Sequence, residues 1–255
     1  MNGDSLPKDL GPLHIVADVP QTPFDIARTY QEVLECWHLV YKCYIREGLI
    51  DTNPHLIHTA PQAFNPDTTV IFGRTSSRIY TTLTAIPDGP RGLPLDEVYP
   101  RLLDDLRSQN RRLIEVGLLA DDRAEVGKAQ DYSFDTMRLA VYCALHSQVD
   151  AVIGVHPHHA DFYVRMMSFE VIGPIRSYPR VNNRPVVPLF WDRSCIQREK
   201  LPRLLRYIKE HPVEKSLFDQ RFDFSKIDLS RSAIGRYLSD ATKDEKSCGY
   251  IADAV

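Results

Sequence analysis

GVHPHHADFYVRMMSFEVIG, residues 154–173, reads as the end of a buried strand, a short helix and the opening of a further strand. The strand, Asp150–Val155 (DAVIGV), is an apolar run too short for a helix and rich in small and β-branched residues. The helix covers His158–Ser168 and carries Phe162 and Tyr163. The next strand opens at Phe169, runs toward Ile175 and pairs with Val186–Trp191. A strand, a helix and a returning strand place that helix against a sheet.

Working outward, Thr22 as N-cap, Pro23 at the first helical position and Asp25 in the first turn predict a helix from residue 22. Ile26, Tyr30, Val33, Leu34, Trp37, Val40 and Tyr41 give it one apolar face, and it ends near Gly48. Residues 51–67 are rich in Pro and turn residues and read as a loop. Thr68–Arg74 and Arg78–Ile86, joined through Thr75-Ser76-Ser77, read as a β-hairpin. Leu95–Asn110 reads as a helix, Arg111–Ala120 as a strand and Asp121–Asp131 as a polar connector. A further helix starts at Ser133, with Phe134, Met137, Val141 and Leu145 on one face. This order is α/β, a central sheet between helices. Residues 1–21 form a tail, 22–196 the domain, and 197–255, more charged and with Pro202 and Pro212, a C-terminal helical appendage.

With 255 residues the chain can bury a large core without staples. Its 43% hydrophobic and 25% charged residues place it among globular proteins, and its net charge of -3 gives no global basic excess for nucleic acid. The five cysteines are odd in number, widely spaced and without a CxxC or Cys/His metal pattern, so reduced thiols are expected and zinc is not. The N-terminus lacks the basic region and apolar run of a signal peptide. No apolar run approaches the length of a spanning helix, so a cytoplasmic protein is expected, with peripheral membrane contact left open if the substrate is greasy.

Tyr163 and the following Phe169-Glu-x-x-Gly173 resemble the C-terminal half of the GNAT acyltransferase fold. Together with LVYKCYIREGLI (39–50), TTLTAIPDGPRGLPLDEVY (81–99) and LIEVGLLAD (113–121), the segment resembles the bacterial N-acyl amino acid synthase family, related to the acyl-homoserine-lactone autoinducer synthases. The resemblance spans about residues 24–192. It implies a GNAT-like fold with a central mixed sheet flanked by helices. It also implies transfer of a medium- or long-chain fatty acyl group from acyl carrier protein to the amine of an amino acid or similar small amine. The donor thioester is a substrate, and no cofactor is implied.

That chemistry needs a proton acceptor for the amine, an oxyanion stabiliser, an acyl tunnel and a landing surface for an acidic carrier. Glu115 lies in an apolar strand, where a carboxylate is costly to bury unless it faces solvent or acts. Alternation puts it on one face with Leu113 and Gly117, and the resemblance places the family's strand glutamate here. Amides near Val116, Gly117 and Leu118 would hold the thioester oxygen, and Tyr163 would protonate the leaving sulfur; otherwise Tyr163 is an amphipathic anchor. His156 is assigned to the substrate cleft.

The chain departs from coenzyme A-dependent GNAT enzymes in two places. Arg123–Ala129 has one residue too many for the R/Q-x-x-G-x-G/A pyrophosphate loop, and Asp131 and Asp135 flank the next helix start, which disfavours coenzyme A as donor. Gly117 stands where a small hydroxyl residue is expected. His156, His158 and His159 have only Asp161 near them in sequence, too few ligands for a metal reading, and are read as a polar loop and helix cap. Arg165, Arg176, Arg180 and Arg184 share twenty residues with one acid, Glu170, and read either as a docking patch for acyl carrier protein or as scattered surface. The competing functions are an autoinducer synthase, which needs an S-adenosylmethionine pocket, and a non-catalytic GNAT-like module binding acyl chains or a partner.

Overall fold

The computed structural model describes residues 24–75, 78–122, 132–228 and 232–248. Its strands are β1 (Phe24–Ile26), β2 (Thr69–Arg74), β3 (Ile79–Pro87), β4 (Leu113–Asp121), β5 (Asp150–Val155), β6 (Glu170–Val171), β7 (Arg176–Tyr178) and β8 (Arg184–Trp191). They form one sheet in the order β1-β2-β3-β4-β5-β8-β6, with β7 also on β8. The β4–β5 pair is parallel and the other pairs are antiparallel.

Period-2 alternation divides the core. Leu83 and Ala85, Ile114, Ala151 and Ile153, and Val187, Leu189 and Trp191 face α3 (Tyr132–Ser147), with Met167 of α4 (Pro157–Met167) in the same cluster. Ile86 faces α1 (Tyr30–Arg46), while Leu113, Val152, Val186 and Phe190 face α2 (Pro100–Ser108). The sheet is thus covered on both faces.

Three elements differ from the expectations by more than two residues. Residues 24–26 form an edge strand with Ile26 fully buried, and the first helix starts at Tyr30. Its N-cap is Thr29, in a capping box with Glu32; Thr22 and Pro23 lie outside the described residues. The expected Leu95–Asn110 helix divides into a 3-10 turn, Pro94–Glu97, and α2, because Pro100 lacks an N–H and is tolerated only in a first turn. The expected Phe169–Ile175 strand shortens to β6, and Gly173-Pro174 precedes β7.

The C-terminal segment comprises α5 (Arg203–Glu210), α6 (Lys215–Phe218) and α7 (Ala233–Cys248). Leu204, Leu205, Ile208 and Phe218 join the α3-side core, whereas Phe224 and Ile234 join the α1-side core. Between them the chain passes the β1 edge, where Phe222 N donates to Ala27 O at 2.8 Å. Phe224 stacks on Trp37 at 5.7 Å and meets Phe64 edge-on at 5.8 Å. Phe224→Ala is therefore expected to cost about 3–5 kcal/mol, read as a lowered denaturation midpoint. A loss below about 1 kcal/mol would mean that this ring is not part of the cooperative core.

Cys36, Cys43, Cys143 and Cys195 are free and buried. Among the described residues no helix is long and apolar enough to cross a membrane.

Candidate active site

The site originates in a defect of the sheet. β4 pairs with β5 only from Leu113↔Asp150 to Glu115↔Val152. Past that point β4 continues to Asp121 and β5 to Val155 without a shared ladder. On its other side β4 slips register against β3, with Gly117 opposite Thr84 but Ala120 opposite Thr82, and Leu118 takes φ 52°. Two residues facing one make a β-bulge, which bends the strand. Among the described residues, β5 therefore has no ladder partner in Val116–Leu118.

A cavity of about 580 Å³ opens where the strands part, within the range of small-molecule sites. On the α3 side its walls are apolar: Leu83, Met137, Ala140, Val141, Ala144, Ala151, Ile153 and Trp191. Toward α1 and the β7–β8 hairpin it gathers Tyr44, His58, Thr59, Glu115, Tyr178 and Arg180. Glu115, Val116, Gly117, Leu118, His156 and Tyr163, all expected at the site from the sequence, line this one space.

Glu115 is 5% exposed, and its Oε2 accepts a hydrogen bond from Leu95 N at 2.8 Å. The 3-10 turn ahead of α2 brings that amide inward. Burial pushes the carboxyl up to about 8; the Leu95 N–H and Arg180 oppose the rise, and Asp96 adds to it. Gly117 does share the face of Glu115: a Cβ placed on it would lie 4.0 Å from Glu115 Oε1, so the space beside the carboxyl is open.

Tyr163 is partly buried on α4, edge-on to Phe169 at 5.7 Å, and burial raises its hydroxyl to about 12. It keeps its proton throughout the physiological range and remains a hydrogen-bond donor. His156 caps α4, its Nδ1 accepting from His158 N at 3.3 Å. His159, also in the wall, is shifted down by burial and by its histidine neighbours. Among the described residues no group of three or more His, Cys, Asp or Glu is placed to hold a metal ion.

The four arginines do not act alike. Arg165 is exposed and reaches Asp161 at 3.4 Å. Arg176 donates to Val98 O at 2.6 Å and lies over the Tyr99 ring. Arg184 is exposed at the cavity rim. Arg180 is turned into the cavity wall, with its Nε 2.5 Å from Glu97 Oε2 and its side chain 20% exposed. Arg176, though exposed, is tied to Val98 and Tyr99, and Arg180 faces the cavity, which thins the expected surface patch.

Sequence reading missed His58, Tyr44 and Tyr178. His58 lies in the proline-rich loop, near Tyr44 (5.2 Å between rings) and 3.4 Å through Nδ1 from the Tyr237 hydroxyl of α7. Burial and the charge of Arg180 lower it to about 4, so it is neutral. Burial also drives Tyr44 and Tyr178 upward, and for Tyr178 the Glu115 charge adds to the shift. The Arg123–Ala129 segment, and Asp131, lie outside the described residues.

A family model, N-acyl amino acid synthase FeeM, matches residues 35–192. The solved structure of FeeM, an N-acyl amino acid synthase from uncultured soil microbes, is 22% identical and has a TM-score of 0.62; the match covers 74% of this chain and 99% of that one. BjaI, a CoA-dependent acyl-homoserine lactone synthase solved with SAM and isopentyl-CoA, is 13% identical with a TM-score of 0.53 over 78% and 99% of the two chains. The AHL synthase LasI is 14% identical with a TM-score of 0.52 over 67% and 89%. A search of curated proteins finds no significant match. The mixed sheet and its flanking helices have the GNAT-like acyltransferase fold.

Proposed function

Because the chain belongs to the N-acyl amino acid synthase family and is an acyltransferase, we propose that it transfers a medium- or long-chain fatty acyl group from acyl carrier protein to the amine of an amino acid. The observation that carries this reading is the make-up of one cavity around Glu115: an apolar wall on the α3 side, and a cluster of polar groups, Tyr44, His58, Thr59, Tyr178 and Arg180, toward α1. An acyl chain fits the first and a small polar amine the second.

In this reading Glu115 takes one proton from the acceptor's ammonium, and the neutral amine nitrogen then attacks the thioester carbonyl. The amides of Val116–Leu118, where β4 leaves β5 and enters its bulge, stabilise the oxyanion. Collapse breaks the C–S bond, and the proton that the nitrogen sheds on acylation passes to the leaving thiolate through the Tyr163 hydroxyl. The products are an amide and a free carrier thiol. His156 is assigned to the donor rim of the cleft.

Lipid extracts of an expressing bacterium test the proposal: new N-acyl amino acids support it, while acyl lactones or no product would count against it. Docking of the acidic carrier is assigned to the exposed Arg165 and Arg184. The double variant Arg165→Glu/Arg184→Glu is expected to raise KM for the carrier-bound donor and flatten its salt dependence, since exposed charges act over about 8 Å at physiological ionic strength. Acyl-pantetheine, which has no carrier, separates docking from effects inside the cavity. An unaltered carrier KM would place docking elsewhere.

A further inference from the structure

We propose that Arg180 binds the carboxylate of the acceptor, so that the amine is presented as a zwitterionic α-amino acid held between Arg180 and Glu115. This rests on the N-acyltransferase reading and deepens it by naming how the acceptor is chosen.

Among the described residues the cavity wall has two arginines: Arg180 is withdrawn from the surface, and Arg184 stays exposed at the rim. The 3-10 turn Pro179–Val181, stopped by Asn182 at φ 51°, carries Arg180 in just after Tyr178, which also lines the space. Its charge is felt by both Glu115 and His58, so the guanidinium stands among the polar groups and not with the acyl pocket.

A carboxylate entering a water-poor cavity loses hydration that only a nearby cation restores. A guanidinium is suited to this because its planar fork matches a carboxylate and its five N–H donors suffice for two acids. Glu97 approaches Arg180 at Nε, one edge of that fork. An α-amino acid carries its ammonium two bonds from its carboxylate. A cation and a proton-accepting carboxyl in one wall are the complement of that charge pair. The α-ammonium gives one proton to Glu115 and becomes the neutral nucleophile, while the carboxylate stays on Arg180.

The test compares kcat/KM for an α-amino acid with kcat/KM for its decarboxylated amine, which has the same side chain. The wild type is expected to prefer the amino acid by about 10- to 100-fold, the range for hydrogen bonds to a charged group. In Arg180→Gln that ratio should collapse toward one, chiefly through the amino-acid KM, and Arg180→Lys should restore part of it. Glu97→Gln, which removes the ion pair but keeps the guanidinium, should retain the preference; a purely structural role for Arg180 would instead make it behave like Arg180→Gln. Equal use of both acceptors by the wild type, or a preference surviving in Arg180→Gln, would overturn the assignment alone. Failure to acylate either amine would overturn the N-acyltransferase reading and this one with it.

Discussion

Glu115→Gln is expected to lower turnover by about 10²–10⁴-fold, the range for loss of a general base, and at the same time to raise thermal stability at alkaline pH. Both effects follow from one buried carboxyl. Burial lifts Glu115 from its usual 4.5 to about 8, so the proton-accepting form accumulates only as pH rises through that value. The wild-type rate should climb with pH and level off above about 8. The stability effect has the opposite sign. A carboxyl raised in the folded state contributes fully below the unfolded value of 4.5, loses that contribution across 4.5 to about 8, and offers none above. Gln carries no charge and has no such window. The variant should therefore melt progressively higher than the wild type from pH 5 to 8, while making almost no amide. Wild-type turnover in Glu115→Gln would remove Glu115 from the chemistry.

Glu115 was legible because an acid inside the apolar run Leu113–Leu119 has few structural explanations. Its pairing with the Leu95 amide was not, since that contact depends on Pro100 dividing a continuous helical pattern into a turn and a helix. Asp150–Val155 was read to the residue because a short apolar run between polar ends has one good conformation in a sheet. The chain entry was misread because Thr22-Pro23 imitates a helix start as well as Thr29 and Glu32 do, and only pairing of Phe24–Ile26 with β2 decides between them. Arg176, Arg180 and Arg184 recur every four residues and look like one basic face. The β7 strand and the turn after it send the first over Tyr99 and the second into the cavity wall. His58 left no local signal, because its partners Tyr44, Arg180 and Tyr237 come from three separate elements brought together by the fold.

Ala144→Phe is expected to shorten the acyl chains transferred. Met137, Ala140, Val141 and Ala144 follow the three-and-four spacing of one helix face, and together they form the α3 wall of the cavity. Two alanines four residues apart keep that face small, and it shares the cavity with Ala151 and Ile153 of β5. A phenyl ring at 144 would occupy the room taken by several methylenes of the donor. Each buried methylene is worth about 0.8 kcal/mol, or roughly fourfold in kcat/KM, so excluding four of them lowers preference for the longer chain on the order of 10²-fold. The acceptor KM should not follow, since Ala144 lines the apolar half and the amine is assigned to the polar half. A larger residue in a packed core also costs about 1–3 kcal/mol of stability, so Ala140→Leu, one turn away and less bulky, provides a second reading with the same direction and a smaller step. Competition between donors of different length gives the result directly. If both variants remain folded and the product lengths match the wild type, the acyl chain does not lie along α3, and the division of the cavity on which the functional reading depends would have to be redrawn.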